Sequence, residues 1–249
     1  MSINELLFTE KLAKDIPLKK SSQSPDVIKF LDEEMNKTKQ RILELNDAYQ
    51  EMILGYEQVL KGLKMAYKDD IDLHDANLEG TPRRMARALI ELCSGLGVKD
   101  KEIFSRYFPS ESYDEMVMLK DIDYTSLCAH HFMPFTGKAH IGYIPESGKG
   151  KNEARVVGLS KLARIVESYA RRPQLQEKMC VEIMKAIKTQ LKPEGIMVVI
   201  EGKHGCLSCR GVKKTQSSMT TSALDGKFKE SEKMRSEFLS LLQLRPLSN

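Results

Sequence analysis

Two helical segments follow one another in the middle of the chain, and strand-like runs flank the pair on both sides. Ser160 opens the first helix, with Leu162, Ile165, Val166 and Tyr169 on one face. Pro173 interrupts it. The second helix runs from about Gln174 to Leu191 and turns Leu175, Met179, Ile183, Ala186 and Ile187 inward. Before the pair, Met116–Leu119, Lys138–Ile144 and Val156–Val157 read as strands, and Ala139, Ile141 and Tyr143 share one face. After it, the turn Lys192-Pro-Glu-Gly leads into a buried-type strand, Ile196–Glu201. The Thr/Ser-rich run after Gly211 reads as another strand, and Ser231–Leu242 as a short amphipathic helix. This grouping predicts an α+β fold with helices laid on an antiparallel sheet.

Upstream, Val27–Tyr67 holds no proline, and Ile42, Leu45, Tyr49, Met52, Ile53, Tyr56 and Leu60 recur at helical spacing. It reads as a packed helical extension or a helix docking onto a sister subunit. Lys19–Asp26 is polar, carries a proline and reads as a flexible linker. Thr81-Pro82 suits a helix start, Met85, Leu89 and Leu92 mark the apolar side, and Gly95 and Gly97 end it. The expected organisation is a flexible or partly helical extension over 1–40 and one domain over 41–249, including N-terminal helices within 41–96.

A net charge of +4 on 249 residues is too sparse for nonspecific binding to duplex nucleic acid. There is no run of about 18 apolar residues to cross a membrane. Glu5, Glu10 and Asp15 argue against a secretory or mitochondrial leader. Five unevenly spaced cysteines, Cys93, Cys128, Cys180, Cys206 and Cys209, fit free thiols or metal ligands in a reducing compartment, and so a cytoplasmic protein.

Three of the cysteines share two short segments with three histidines: Ser126-Leu-Cys128-Ala-His130-His131 and His204-Gly-Cys206-Leu-Ser-Cys209-Arg210. A two-residue gap lets two side chains of one turn reach one zinc ion. Spacing leaves two arrangements open. Cys128, His131, Cys206 and Cys209 would make a closed structural site; three of them plus water would make an open catalytic one, with Cys209 turned away. His130 and His204 are not needed by a structural site, and both are placed to move protons beside a metal-activated water, which favours catalysis.

Ser160-Lys161-x-x-Arg164 stands at a predicted helix N-terminus, where backbone amides and the helix dipole favour an anion. Arg210 and the basic helix start with Arg83, Arg84 and Arg87 add positive charge. Together these clusters suit a polyphosphate. Glu177, after Gln176, could accept from both N1–H and the 2-amino group of guanine, an edge that adenine lacks.

From about Thr81 to Leu242 the chain resembles GTP cyclohydrolase I. The resemblance rests on TPRRMA, SLCAHHFMPFTGKAHIGYIP, VVGLSKLARIVESYARRPQLQEK, GCLSCRGV and MRSEFLSLL, in the family's order. It implies the tunnelling fold, an antiparallel sheet with two helices on one face, whose subunits join their sheets in rings of five that stack as a decamer. It implies zinc held by Cys128, His131 and Cys206, with Cys209 free, and casts His130 and His204 as the proton-transfer pair. Gln176 and Glu177 would hold the guanine of GTP. Ser160, Lys161, Arg164 and Arg210 would hold the triphosphate, joined by Arg84 and Arg87 from a neighbouring subunit. The implied reaction yields formate and 7,8-dihydroneopterin triphosphate, the opening step of folate or pterin synthesis. Two positions depart from the family. Ala129 replaces its usual glutamate, and Gly205 stands where it has a bulkier residue. The first leaves an alternative, a catalytically impaired relative that binds GTP or a pterin and regulates a partner. A related enzyme acting on another purine or pterin, and a structural zinc scaffold, are further alternatives.

Overall fold

The computed structural model describes residues 25–110, 113, 115–146 and 154–244, which fall into two compact units, one up to Glu91 and one from Leu92. Residues 1–24, with most of the expected linker, lie outside the described residues.

In the first unit, helix α1 (Pro25–Tyr67) takes up the long run without interior proline and ends in a 3-10 turn at Lys68–Asp70. The Lys64 ammonium donates to the carbonyl of Ile71 at 2.8 Å, closing that end. The Tyr49 hydroxyl donates to the carbonyl of Arg83 at 3.2 Å and so joins α1 to α2 (Thr81–Leu92). Gly80, at φ +68°, supplies the left-handed turn that starts α2.

The second unit begins with a single-turn helix α3 (Asp100–Ile103) and a small two-stranded sheet, β1 (Phe108–Ser110) with β4 (Ala154–Val156). Its main sheet holds β2 (Val117–Cys128), β3 (Pro134–Ile144), β5 (Pro173–Gln174), β6 (Gly195–His204) and β7 (Met219–Gly226), in the order β5-β2-β3-β6-β7. Pairing is antiparallel except for the two-residue parallel bridge between β5 and β2. Helices α4 (Leu159–Ala170) and α5 (Gln176–Leu191) pack on one face, over β2 and over β6 and β7 respectively. The α+β reading and the pair of helices on one sheet face are thus observed.

The core lies between them. Leu162, Ile165 and Val166 of α4 and Met179, Ile183 and Ile187 of α5 meet Ala139, Ile141, Tyr143, Ile196, Val198 and Ile200 of the sheet. Each large side chain buried there stabilises the fold by roughly 1.5–3 kcal/mol. On the opposite face, Met116, Ile144, Met197 and Val199 are covered by Phe228, from the one-turn helix α7 (Lys227–Glu230), and Phe238, from α8 (Glu232–Gln243). Helix α6 (Gly205–Ser208) is a single turn after β6.

Three elements differ from the sequence reading. β2 extends to Cys128, so the first Cys/His segment begins inside a strand. Val156 pairs with β1 and stands apart from the main sheet. Pro173 and Gln174 bridge to β2, so α5 begins only at Gln176. A proline cannot donate a ladder hydrogen bond, which limits β5 to this short edge contact.

Candidate active site

Strand order builds the site. β3 lies between β2 and β6 and is antiparallel to both, so the end of β2, the start of β3 and the end of β6 coincide. The register pairs Ser126 with Phe135 and Phe135 with His204. Both Cys/His segments therefore emerge at one end of the sheet.

After Cys128 the chain turns sharply. The amides of His131 and Phe132 donate to the Cys128 carbonyl at 3.2 and 2.8 Å, and Phe132 adopts φ +51°. The Cys128 amide donates to the Met133 carbonyl at 2.8 Å, and the Ala129 amide to the Gln174 carbonyl at 3.0 Å. The turn returns His131 over Cys128, with Sγ and Nδ1 3.9 Å apart. From β6, α6 delivers Cys206. Gly205 permits this approach, because a Cβ there would lie 2.7 Å from the Pro134 carbonyl oxygen. The donor atoms of Cys128, His131 and Cys206 all lie within 4.8 Å of one another. Two thiols and one imidazole at that separation fit a soft or borderline metal ion. Burial, and then the neighbouring Cys128 thiol, raise the Cys206 pKa above the ordinary thiol value; a cation among the three would favour the thiolates.

Cys209 is not in this group. It is exposed, and its thiol donates to the Gly205 carbonyl at 2.7 Å. Among the described residues three possible ligand groups converge, while Cys209, the third cysteine of the two segments, turns to its own helical turn.

The other two histidines of these segments are His130 and His204. The exposed His130 ring lies 6.1 Å from that of His131. His204 ends β6, stacks on Phe135 at 4.3 Å between centroids and 6° between planes, and meets Gln176 Oε1 through Nε2 at 2.9 Å. Burial lowers its pKa; the carboxylate of Glu177 acts the other way. Glu177 itself is exposed on the first turn of α5. Gln176, expected on a guanine, is only 1% exposed and uses its amide inside the protein.

The anion-binding candidates divide. Arg210 follows α6 and is exposed beside the thiol cluster's helix. Ser160, Lys161 and Arg164 occupy the first turns of α4, whose N-cap, Gly158, provides no side-chain cap; the Lys161 amide donates to the Gly158 carbonyl at 2.8 Å. The other end of α4 leads to the cluster: the Ser126 hydroxyl donates to the Arg172 carbonyl, and β5 pairs with Leu127 and Cys128. A twelve-residue helix is about 18 Å long. Within one chain, Ser160 and Lys161 therefore stand at the opposite end of α4 from the cysteines. Arg84 and Arg87 belong to the first unit. The Arg84 guanidinium donates to the carbonyls of Glu79 and Asn77 and to the Thr81 hydroxyl, at 2.7, 3.2 and 2.6 Å. Phe135, Gly202 and Thr221, which support His204 and Gln176, were not singled out by sequence; only the strand register reveals them.

The chain is similar to known proteins over this same region. The profile of the family described as GTP cyclohydrolase I matches residues 63–243. GTP cyclohydrolase 1 of Chlorobium phaeovibrioides is 49% identical over 163 residues, 66% of this chain and 70% of its own. That of Dehalococcoides mccartyi (strain BAV1) is 46% identical over 187 residues, 75% of this chain and 95% of its own. That of Carboxydothermus hydrogenoformans is 48% identical over 165 residues, 66% and 82% of the two chains. The matched region holds both Cys/His segments, the helix pair and the whole main sheet, and the chain belongs to the GTP cyclohydrolase I family.

Proposed function

We propose that this enzyme converts GTP and water to formate and 7,8-dihydroneopterin triphosphate, with zinc held by Cys128, His131 and Cys206. The observation that carries the reading is the convergence, among the described residues, of three possible ligand groups and only three, in segments that also hold His130 and His204. Bound zinc supplies Lewis acidity, which makes a nucleophile of water at neutral pH. The chain's own residues do the rest. Glu177 accepts from N1–H and the 2-amino group and so selects guanine. His204 and His130 carry protons to and from the imidazole part of the base, with N7 as the first acceptor. Water adds at C8, the ring opens, C8 leaves as formate, and the ribose carbons reclose on the freed amines.

The triphosphate is held by Ser160, Lys161 and Arg164 with Arg210, and Arg84 and Arg87 come from another subunit. The length of α4 supports a pocket shared between chains, because it sets one chain's Lys161 and cysteines at opposite ends of a helix about 18 Å long. Among the described residues the outer edge of β2 before Leu127 and that of β7 have no partner strand within the sheet, which suits sheets joined edge to edge in a ring and a stacked decamer. No helix among the described residues is long and apolar enough to cross a membrane, consistent with a cytoplasmic enzyme of folate or pterin synthesis.

Ala129 favours one second reading, a relative that binds GTP or a pterin but does not turn it over. Against it, Ala129 contributes only its backbone to the ligand turn, so that turn closes without a carboxylate. The test is to incubate zinc-loaded protein with GTP and measure formate and the oxidised, fluorescent pterin. Equal amounts of both, lost on chelation and in His130→Ala, support the enzyme. Full binding of zinc and GTP without formate supports the regulatory relative.

A further inference from the structure

Gln176 is buried at the first position of α5, and every polar atom of its amide is engaged. Its Nε2 lies 3.0 Å from the Ile200 carbonyl oxygen and 3.0 Å from that of Met219, with Thr221 Oγ1 at 3.2 Å. A primary amide has two N–H groups, and carbonyls only accept, so the two carbonyls take both. This settles the amide's orientation, since the flipped form would set Oε1 against two carbonyl oxygens. Oε1 is therefore the atom facing His204 Nε2 at 2.9 Å. An amide oxygen cannot donate, so His204 carries its proton on Nε2 when neutral. Phe135, stacked almost parallel, sets the plane of the ring. The nitrogen left to exchange a proton with a ligand is Nδ1.

Gly202 is part of the arrangement. A Cβ at this position would collide with Gln176 Oε1 and come 2.7 Å from the Tyr124 hydroxyl, itself bonded to the Glu201 carbonyl. Only glycine leaves room for the amide over the strand. The resemblance had placed Gln176 on the base; the buried network gives it a different task.

We infer that Gln176 is a positioning residue: it holds His204 in the Nε2–H tautomer and leaves Nδ1 to serve the reaction. Base recognition then rests on Glu177. The inference depends on the proposed role of His204 in GTP turnover.

Two variants test it, Gln176→Met, which keeps side-chain length and loses the amide, and Gly202→Ala, which keeps Gln176 and displaces it. Zinc content, thermal melting, GTP Kd by equilibrium dialysis, and kcat and KM from formate release are measured beside wild type. In both folded variants kcat falls at least tenfold while Kd stays within twofold and zinc is retained. A Kd raised tenfold or more in Gln176→Met, with kcat unchanged, makes Gln176 a base contact and overturns the inference. Wild-type kcat in folded Gln176→Met overturns it too, and if Gly202→Ala does not fold, Gln176→Met decides alone. Wild-type protein that binds GTP and releases no formate overturns the proposed reaction and this role with it, an outcome separated from the others by the wild-type control.

Discussion

Cys206 and Cys209 stand on the same short turn, and orientation alone separates their roles. Cys206 points to Cys128 and His131, whereas the Cys209 thiol bonds to the Gly205 carbonyl. A serine hydroxyl can make that second bond equally well. Cys209→Ser should therefore keep zinc content and turnover within about twofold, while Cys206→Ser loses the metal and at least about 100-fold in turnover. Metal analysis with the formate assay checks both, and loss of zinc from Cys209→Ser would restore the closed four-ligand site. At Glu177, the amide of Glu177→Gln turns a donor towards the guanine edge and leaves a polar group unpaired. GTP binding should weaken by about 1–3 kcal/mol, roughly 5- to 150-fold in Kd. Unchanged Kd would move base recognition elsewhere.

At the scale of elements, α8 is held to the sheet chiefly by Phe238. Its ring lies over Gly142, where a Cβ would come within 2.7 Å, and packs edge-on against Phe228 at 6.0 Å. The Lys120 ammonium caps the helix end by donating to the carbonyls of Leu241, Leu242 and Leu244. Phe238→Ala should destabilise the unit by about 3–5 kcal/mol, measured by urea unfolding; a loss below about 1 kcal/mol would mean that Lys120 anchors the helix instead. Beside Lys120, β2 shifts register, with Asp121 at φ +59° and its amide donating to His140 Nδ1 at 3.1 Å. His140 is buried, and burial lowers its pKa; Asp121 and Glu201 oppose that shift, and Lys138 and Lys120 add to it. A folded-state pKa below the unfolded value means that the unfolded chain binds more protons on acidification. The stability tied to neutral His140 is thus fully present above about pH 6.5 and is lost as pH falls below it. His140→Gln should lose less stability than wild type between pH 7.5 and 5.5, read from urea midpoints, and equal losses would clear His140 of the effect.

At the scale of the whole molecule, α4 separates the two halves of the proposed pocket. Its first turns carry Ser160, Lys161 and Arg164, and its last turn leads to the cysteines. If neighbouring chains complete each pocket, two inactive variants can repair one another. Chains with Lys161→Ala, lacking a phosphate contact, and chains with Cys206→Ser, lacking a metal ligand, should regain roughly a quarter of wild-type activity when unfolded, mixed in equal amounts and refolded together. No recovery above the separate variants, with zinc present in the mixture, would place both residues in one chain's pocket.

Local pattern was enough for the sequence to determine the order and type of most elements. The 3.6-residue period of α4 and α5, the alternation in β3 and the polar, glycine-marked turns are properties of neighbouring residues. The same holds for the two Cys/His segments and the helix-start cations, because each is contiguous. Whether the site was open or closed could not be read that way. The proposed open arrangement rests on β3 lying between β2 and β6, which brings Cys128 and Cys206 together, and on a Cys209 rotamer that spacing does not encode. The resemblance sets Gln176 on the base beside Glu177, and only tertiary structure buries it against β6 and β7. Phe135 and Gly202 matter through strand register, a long-range property. Elements are set by contacts along the chain, and the site by contacts across it.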